Sequence, residues 1–411
     1  MISLANLRAS ATPWLFLPAL LYMSAIISGA VFGGFSDYGV TSGEQAALGV
    51  TVIAPAVAGA AAWEAGRQRR SGPLAAVSVR GRVHRFLWAT TPVIVLQILL
   101  VIGALIIART QNGAWPDGRG LLAIAHLLIL PWGWAVVGWA LGKVCPRAVA
   151  APLAAVACWA FIAIPQSISS PAWRHLGGLL TESSTLTDLL DPRVYLIPWV
   201  VVAGFALAAL LLTGVRRRPW LLAVSAILAV GVVFVGRSFV LGWGFDPLTD
   251  PRTGHTVCTG ISPSICLPSE YSNQADQMRQ AVLPRLQALH TVGLPSPRAL
   301  EMTSPDLPLR SSTWPLQWSP DMSSEKLDYA LAQSAVAGIA TLHGVHDCGQ
   351  PSIADTWAML VMGVDEEQAH ATLTDQGWAQ LQQIRALSAS KQSAWFTQAI
   401  RSQRFCTPET S

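Results

Sequence analysis

Apolar stretches of about twenty residues, the length an α-helix needs to cross a bilayer, recur at 12–33, 45–64, 86–108, 120–142, 148–168, 194–214 and 219–242. Seven such stretches in the first 244 residues predict a polytopic α-helical membrane protein with about seven transmembrane helices. The charged fraction agrees, since 12% Asp, Glu, Lys and Arg is about half the share of a soluble domain. The first stretch lacks a small-residue cleavage pattern and is longer than the apolar part of a signal peptide, so it reads as a retained span.

Charge in the connecting loops sets the orientation, because short cytoplasmic loops collect Lys and Arg. With the N-terminus inside, the inner segments hold Arg8, Arg67, Arg69, Arg70, Arg80, Arg82, Arg85, Lys143, Arg147, Arg216, Arg217 and Arg218, with Glu64 the only acid beside them. The outer loops hold Asp37, Glu44, Asp117, Glu182, Asp188 and Asp191, with Arg119, Arg174 and Arg193. An odd number of spans then puts everything after about Gly244 outside. Residues 1–244 carry 17 of the 27 Lys and Arg and 7 of the 23 Asp and Glu, leaving 10 and 16 for residues 245–411. A transmembrane domain of charge +10 is thus joined to an extracellular soluble domain of charge −6, long enough to bury a core of its own. The net charge of +4 gives no reason to expect nucleic acid as a partner. Lysine occurs only at Lys143, Lys326 and Lys391, and this arginine bias, with the abundance of Ala and Gly, points to a high-GC bacterial gene and hence to the bacterial plasma membrane.

An exported domain meets an oxidising environment, where cysteines pair. Its four cysteines, Cys258, Cys266, Cys348 and Cys406, allow three connectivities. Pairing the nearest two, Cys258 with Cys266, closes nine residues containing the turn formers Gly260 and Pro263 and contributes about 2.6 kcal/mol. It leaves Cys348 with Cys406, whose loop of 59 residues contributes about 4.2 kcal/mol and ties the last helix to an earlier one. Cys145 and Cys158 fall at or within the membrane and read as free thiols packed like small apolar residues.

The outer domain reads as α-rich. Met278, Val282, Leu286 and Leu289 share a helical face over 271–290, and Leu327, Leu331 and Ala335 another over 323–343, with Ser323 or Ser324 as cap. Further helices are expected over 353–362 and over 365–401 with a break near Ser388. Between the first two, the stretch 292–318 holds five prolines and suits short strands or extended loop.

No convergent set of acids, bases and nucleophiles marks a catalytic site. His343, His346, Asp347 and Cys348 in "HGVHDC" form the one metal-like cluster, but an exported Cys with a partner is better read as oxidised, and no second ligand cluster follows. Walker A, G-x-S-x-G and Gly-rich phosphate loops are absent, so the sequence predicts no enzyme and no cofactor in this chain, and any ATP must act on a partner subunit. Inside the spans the strongly polar side chains are Gln97 and His126, with Arg237 near an outer end, where it can reach the interface. For His126 an interhelical hydrogen bond is the plainer reading, and no chain of buried carboxylates suggests an ion-coupled transporter. Prolines at 18, 55, 92, 131, 152, 165 and 198 suit a moving bundle and are also common in membrane helices generally.

The longest inner loop, "WEAGRQRRSGPLAAVSVRGRVHR" at 63–85, starts at Glu64 and has an apolar centre, 74–79, between basic flanks. Contact with anionic lipid explains the charge. It does not explain the amphipathic centre, which suits a short helix docked onto a partner. The loop resembles the coupling segment of ABC-2-type export permeases, in which a Glu opens a run of the kind E-x-x-x-G-x-L-x-x-x-P-x-S-R. Glu64, Gly72, Leu74 and Arg80 or Arg82 stand in those places, with Arg67, Arg69 and Arg70 among the basic residues beside them, and the proline before the arginine is missing. The wider layout, with a "VC…ICL-P-E" stretch after the last span, is similar to actinobacterial ABC-2-type transporter permease-like membrane proteins. The resemblance implies export of a peptide, antibiotic or lipid-like substrate, an ABC ATPase subunit as partner, and a homodimer or a second permease. The competing reading is a non-transporting receptor or scaffold whose outer domain binds a partner; a membrane hydrolase or metalloenzyme is the third.

Overall fold

The computed structural model describes residues 10–29, 35–70, 82–213, 218–254, 256–305, 307–308, 310, 312–343 and 352–402. The chain divides into two compact units, Met1–Thr185 with Leu189–Asp250, and Leu186–Asp188 with Pro251–Ser411. The first unit extends six residues beyond the boundary at 244 because Trp243 and Leu248 still pack in its apolar cluster with Leu176, Leu190 and Tyr195.

The first unit is helical: α1 (Thr12–Gly29), α2 (Gly39–Ala47), α3 (Val50–Arg70), α4 (Arg82–Asn112), α5 (Gly120–Val144), α6 (Arg147–Ala163), α7 (Arg193–Leu212) and α8 (Leu221–Val240). Six of these, α1 and α4 to α8, are long and apolar enough to cross a membrane; α2 and α3, bent by 44°, make a seventh if the pair is one span. The stretch expected from 45 to 64 thus falls on a bent pair that begins earlier, at Gly39. Residues 39–44, expected in an outer loop, belong to α2 and are buried. Glycine allows it: a Cβ on Gly43 would lie 2.5 Å from the carbonyl oxygen of Gly120, and one on Gly39 2.3 Å from the Asp117 carboxylate.

The same device sets the centre of the unit. α3 lies against α5 so closely that a Cβ on Gly138 would sit 2.1 Å from the carbonyl oxygen of Ala58, and one on Gly142 2.2 Å from that of Ala62. Small residues let membrane helices approach when no hydrophobic driving force distinguishes helix from lipid. α6 closes the other side of α3, where Gly59 faces Ala151 and Ala155. α8 is peripheral, with Ile227 71% and Phe239 69% exposed. Proline is accommodated locally: Pro131 in α5 has no N–H, which orphans the carbonyl of Leu127. Gln97 of α4 supplies the donor, 3.1 Å from the Leu127 oxygen and 2.8 Å from that of Leu128.

The second unit holds a four-stranded sheet beside its helices, β3 (Thr256–Thr259), β4 (Ser264–Pro268), β5 (Ala299–Glu301) and β6 (Thr313–Pro315), in the order β3-β4-β5-β6; β5 and β6 fall in the proline-rich stretch expected to suit short strands, whereas the strands β3 and β4 were not expected. The strands β1 (Asp188–Leu190) and β2 (Thr249–Pro251) form a separate ribbon. β3 and β4 are an antiparallel hairpin with Cys258 opposite Cys266, and the two are joined as a disulfide. β5 and β6 add in parallel. These strands are too short for an alternating pattern to stand out in sequence.

The described residues of this unit also form six α-helices: α9 (Ala275–Thr291), between β4 and β5, then α10 (Ser324–Leu342), α11 (Ile353–Val361), α12 (Glu366–His370), α13 (Asp375–Arg385) and α14 (Ala389–Ser402). Ser323 caps α10, accepting from the Lys326 N–H at 3.4 Å. Ser352 and Asp355 form a capping box on α11. The helix expected over 365–401 is broken twice, since Thr374 caps α13 in addition to the break before α14. α10 is the buried centre, and Trp314 of β6 lies over Gly338, where a Cβ would come 1.9 Å from the indole ring. Trp357, Trp395 and Phe396 pack α11 onto α14, with the Trp357 Nε1–H donating to Gln392 at 2.9 Å.

Candidate functional site

The residues singled out at the start of the basic loop gather at one end of the first unit. Glu64, in the last turns of α3, is 1% exposed, and the Arg67 guanidinium lies 2.6 Å from its carboxylate. Arg69 donates at 3.1 Å to the Val144 carbonyl, one of the orphan acceptors at the C-terminal end of α5. Lys143 donates to Gln68 at 3.2 Å and stands over the Trp139 ring, while Arg147 at the start of α6 stands over Trp63. A Cβ on Gly66 would lie 2.5 Å from that of Arg147. Three helix ends are thereby locked together where the loop begins. The Arg70 side chain, Gly72, Leu74, Arg80 and the Arg82 side chain lie outside the described residues; the backbone of Arg82 opens α4.

The sequence reading missed a second polar cluster, built around α2. Glu44, assigned to an outer loop, is 1% exposed, and its two carboxylate oxygens take the Ser184 N–H and hydroxyl, each at 2.6 Å. The Ser184 hydroxyl oxygen in turn accepts the Leu190 N–H at 2.9 Å, fixing the chain on both sides. Gln45 beside it bonds Gln111, Asn112 and, at 3.2 Å, the Ile27 carbonyl, joining α1, α2 and α4. Tyr195 is buried nearby, and its hydroxyl has no partner among the described residues. The sequence signal was the glycine framing of "SGEQAA", which lets a short polar helix be enclosed.

His126 makes an interhelical bond, to Trp199, as the plainer reading expected, and a second bond to the segment between α6 and α7. Its Nε2 lies 2.8 Å from the Gly178 carbonyl, and its Nδ1 accepts the Trp199 Nε1–H at 2.9 Å. That pattern places the proton on Nε2 and keeps the ring neutral. His175, in the segment between α6 and α7, pairs with the Gly244 carbonyl at 2.9 Å; burial pushes its imidazole down, and the adjacent Arg174 charge adds to this. Arg237 stacks on Trp173, its guanidinium carbon 5.5 Å from the ring centre.

In the second unit, His343 ends α10 with the Arg401 guanidinium 3.3 Å from its ring nitrogens. His346, Asp347, Cys348 and Cys406 lie outside the described residues. Among the described residues no group of three or more His, Cys, Asp or Glu side chains is arranged to hold a metal. Cys145 and Cys158 are free, the first half-buried and the second buried.

Fold and sites together define a mostly helical chain in which a unit of apolar helices, six of them long enough to span a membrane, precedes a smaller unit of mixed sheet and helices. Over residues 265–406 the chain is similar to the family described as Domain of unknown function (DUF7224), a match that runs from β4 into the segment after α14. No curated protein matches the chain, and no solved structure does.

Proposed function

We propose that the chain is a multi-pass protein of the bacterial plasma membrane, N-terminus inside and second unit outside, that serves as a permease-like subunit of an ABC-2-type transporter. It would export a peptide, antibiotic or lipid-like substrate, as a homodimer or beside a second permease, with ATP hydrolysed on a separate subunit docked at residues 64–85. The observation that carries this reading is the locked cluster of Glu64, Arg67, Arg69, Lys143 and Arg147. A loop that receives force from an ATPase must begin on a rigid anchor, and here its first residues are bonded to the ends of α5 and α6. The orientation is supported by the basic residues of α3, α5 and α6 meeting at one end, in agreement with the positive-inside rule.

The test is purification in mild detergent from the native host. A nucleotide-binding subunit should copurify, and the triple change Arg67→Glu, Arg69→Glu, Arg70→Glu should release it while the membrane chain stays folded. Recovery of folded chain with no such subunit would refute the reading. A receptor or scaffold is the second reading, and the backbone-to-backbone seating of α3 on α5 favours it, because a bundle so closely packed there has little room for a central path. It predicts folded chain without an ATPase and a partner captured by the outer unit alone.

A further inference from the structure

The second unit contains an open cleft of about 390 Å³ beside α10, within the range of about 300–1,000 Å³ that small ligands and peptide side chains occupy. Its floor is apolar, with Ala330 of α10 and Met359 of α11 buried and Met322 half-buried beside them. Methionine walls adapt to varied shapes. Above the floor stand half-buried polar groups held by the fold. Gln333 donates to the Tyr329 hydroxyl at 3.1 Å, and the Thr372 hydroxyl is fixed by the Ala369 carbonyl at 2.7 Å and by Thr356 at 2.9 Å.

Two features select the ligand. One acid and one base, Glu325 and Lys326, stand at the rim, so the lining has no net charge and gives a polyanion or polycation no advantage. Three primary amides, Gln317, Gln333 and Gln368, open onto the cleft, each carrying both a donor and an acceptor. Those of Gln317 and Gln368 make no hydrogen bond within the chain among the described residues. Paired donor and acceptor is also what each residue of an extended main chain presents. We propose that this cleft binds a short, uncharged stretch of extended peptide, its backbone on the glutamine amides and its side chains on the methionine floor. The proposal concerns the second unit alone and does not depend on the transport reading.

The full chain in nanodiscs would be mixed with a pool of N-acetylated, C-amidated tetrapeptides of Ala, Ser, Val and Leu and followed by saturation-transfer NMR. Saturable signals are expected from the pool, with binding weakened about tenfold by Gln368→Ala, the effect of one hydrogen bond of about 1.4 kcal/mol. Ala330→Trp should abolish it by filling the floor. Should that variant unfold, Gln368→Trp blocks the same space from a half-buried wall. No signal from folded protein at about 1 mM peptide, or signals unchanged by a folded blocking variant, would overturn the proposal. So would binding of chitotriose that the blocking variants remove, since it would assign the cleft to a glycan.

Discussion

Replacing Gly138 with alanine should loosen the α3–α5 pair at the centre of the first unit. The added Cβ would stand 2.1 Å from the Ala58 carbonyl oxygen, whereas real Cβ contacts essentially never fall below 3.0 Å. The atom in the way is backbone inside a helix, so it cannot rotate aside. One helix must move by roughly 0.9 Å, the shortfall between those two distances. A gap of 0.5–1 Å forfeits about a quarter to a half of the dispersion energy of the contacts it opens, and overpacking of this kind costs about 1–3 kcal/mol. Gly142, one turn on, would meet the Ala62 oxygen at 2.2 Å and needs a displacement of nearly the same size in the same direction. The double variant should therefore cost clearly less than twice the single one, because one separation relieves both clashes. The assay is thermal unfolding of purified full chain in detergent, followed by tryptophan fluorescence, with Gly231→Ala as control, since nothing lies within 4 Å of a Cβ there. A drop of several degrees for Gly138→Ala is expected, and none for Gly231→Ala. A Gly138→Ala protein that melts with the wild type would falsify the close α3–α5 packing on which the argument stands.

Arg67→Ala should destabilise the chain by about 3–5 kcal/mol, because it strands the buried Glu64 carboxylate without its cation; Arg67→Ala with Glu64→Leu should recover much of the loss in the same melting assay. Ser184→Ala removes one of the two donors on Glu44 and should cost about 1–3 kcal/mol, read as earlier detergent-induced unfolding. Breaking the disulfide with Cys258→Ser should lower stability of the second unit by about 2.6 kcal/mol, the entropy of a nine-residue loop, and a non-reducing mass map of the wild type should recover the joined peptides. Acid should weaken the second unit through Glu270. Burial raises that carboxyl, but the hydrogen bond and charge of Arg252, 2.5 Å away, outweigh it and hold it below its ordinary value of 4.5. A lowered folded value means stability that is present above pH 4.5 and lost as pH falls through the folded value. Glu270→Gln should flatten the pH dependence of melting over this window and leave the rest of the curve in place.

How much could be read in advance follows the range of the interactions concerned. Helix positions in the first unit were legible because a spanning helix announces itself in some twenty consecutive residues. The exception, α2, is a polar segment that only its glycine contacts with Asp117 and Gly120 make burial possible for. In the second unit the spacing of Leu327, Leu331 and Ala335 located α10, and Ser323 its start. The strands β5 and β6, three residues each, carry no periodicity of their own and exist through pairing, β5 with β4 and β6 with β5. Of the sites, the sequence singled out Glu64 by its solitude among basic residues, but it could not show the carboxylate buried and paired. The Glu44–Ser184 bond joins residues 140 apart in the chain, and no local pattern encodes such a distance.

The sequence by itself therefore determined the apolar helices, the sign of charge at their ends and the nearest cysteine pair, all properties of residues close together along the chain. The tertiary structure alone decided the kink between α2 and α3, the burial of Glu44, the seat of Gln97 on the carbonyls around Pro131, and the amide-lined cleft beside α10. Each of these depends on which backbone comes within 3 Å of which, and that is set by close packing between segments distant in sequence.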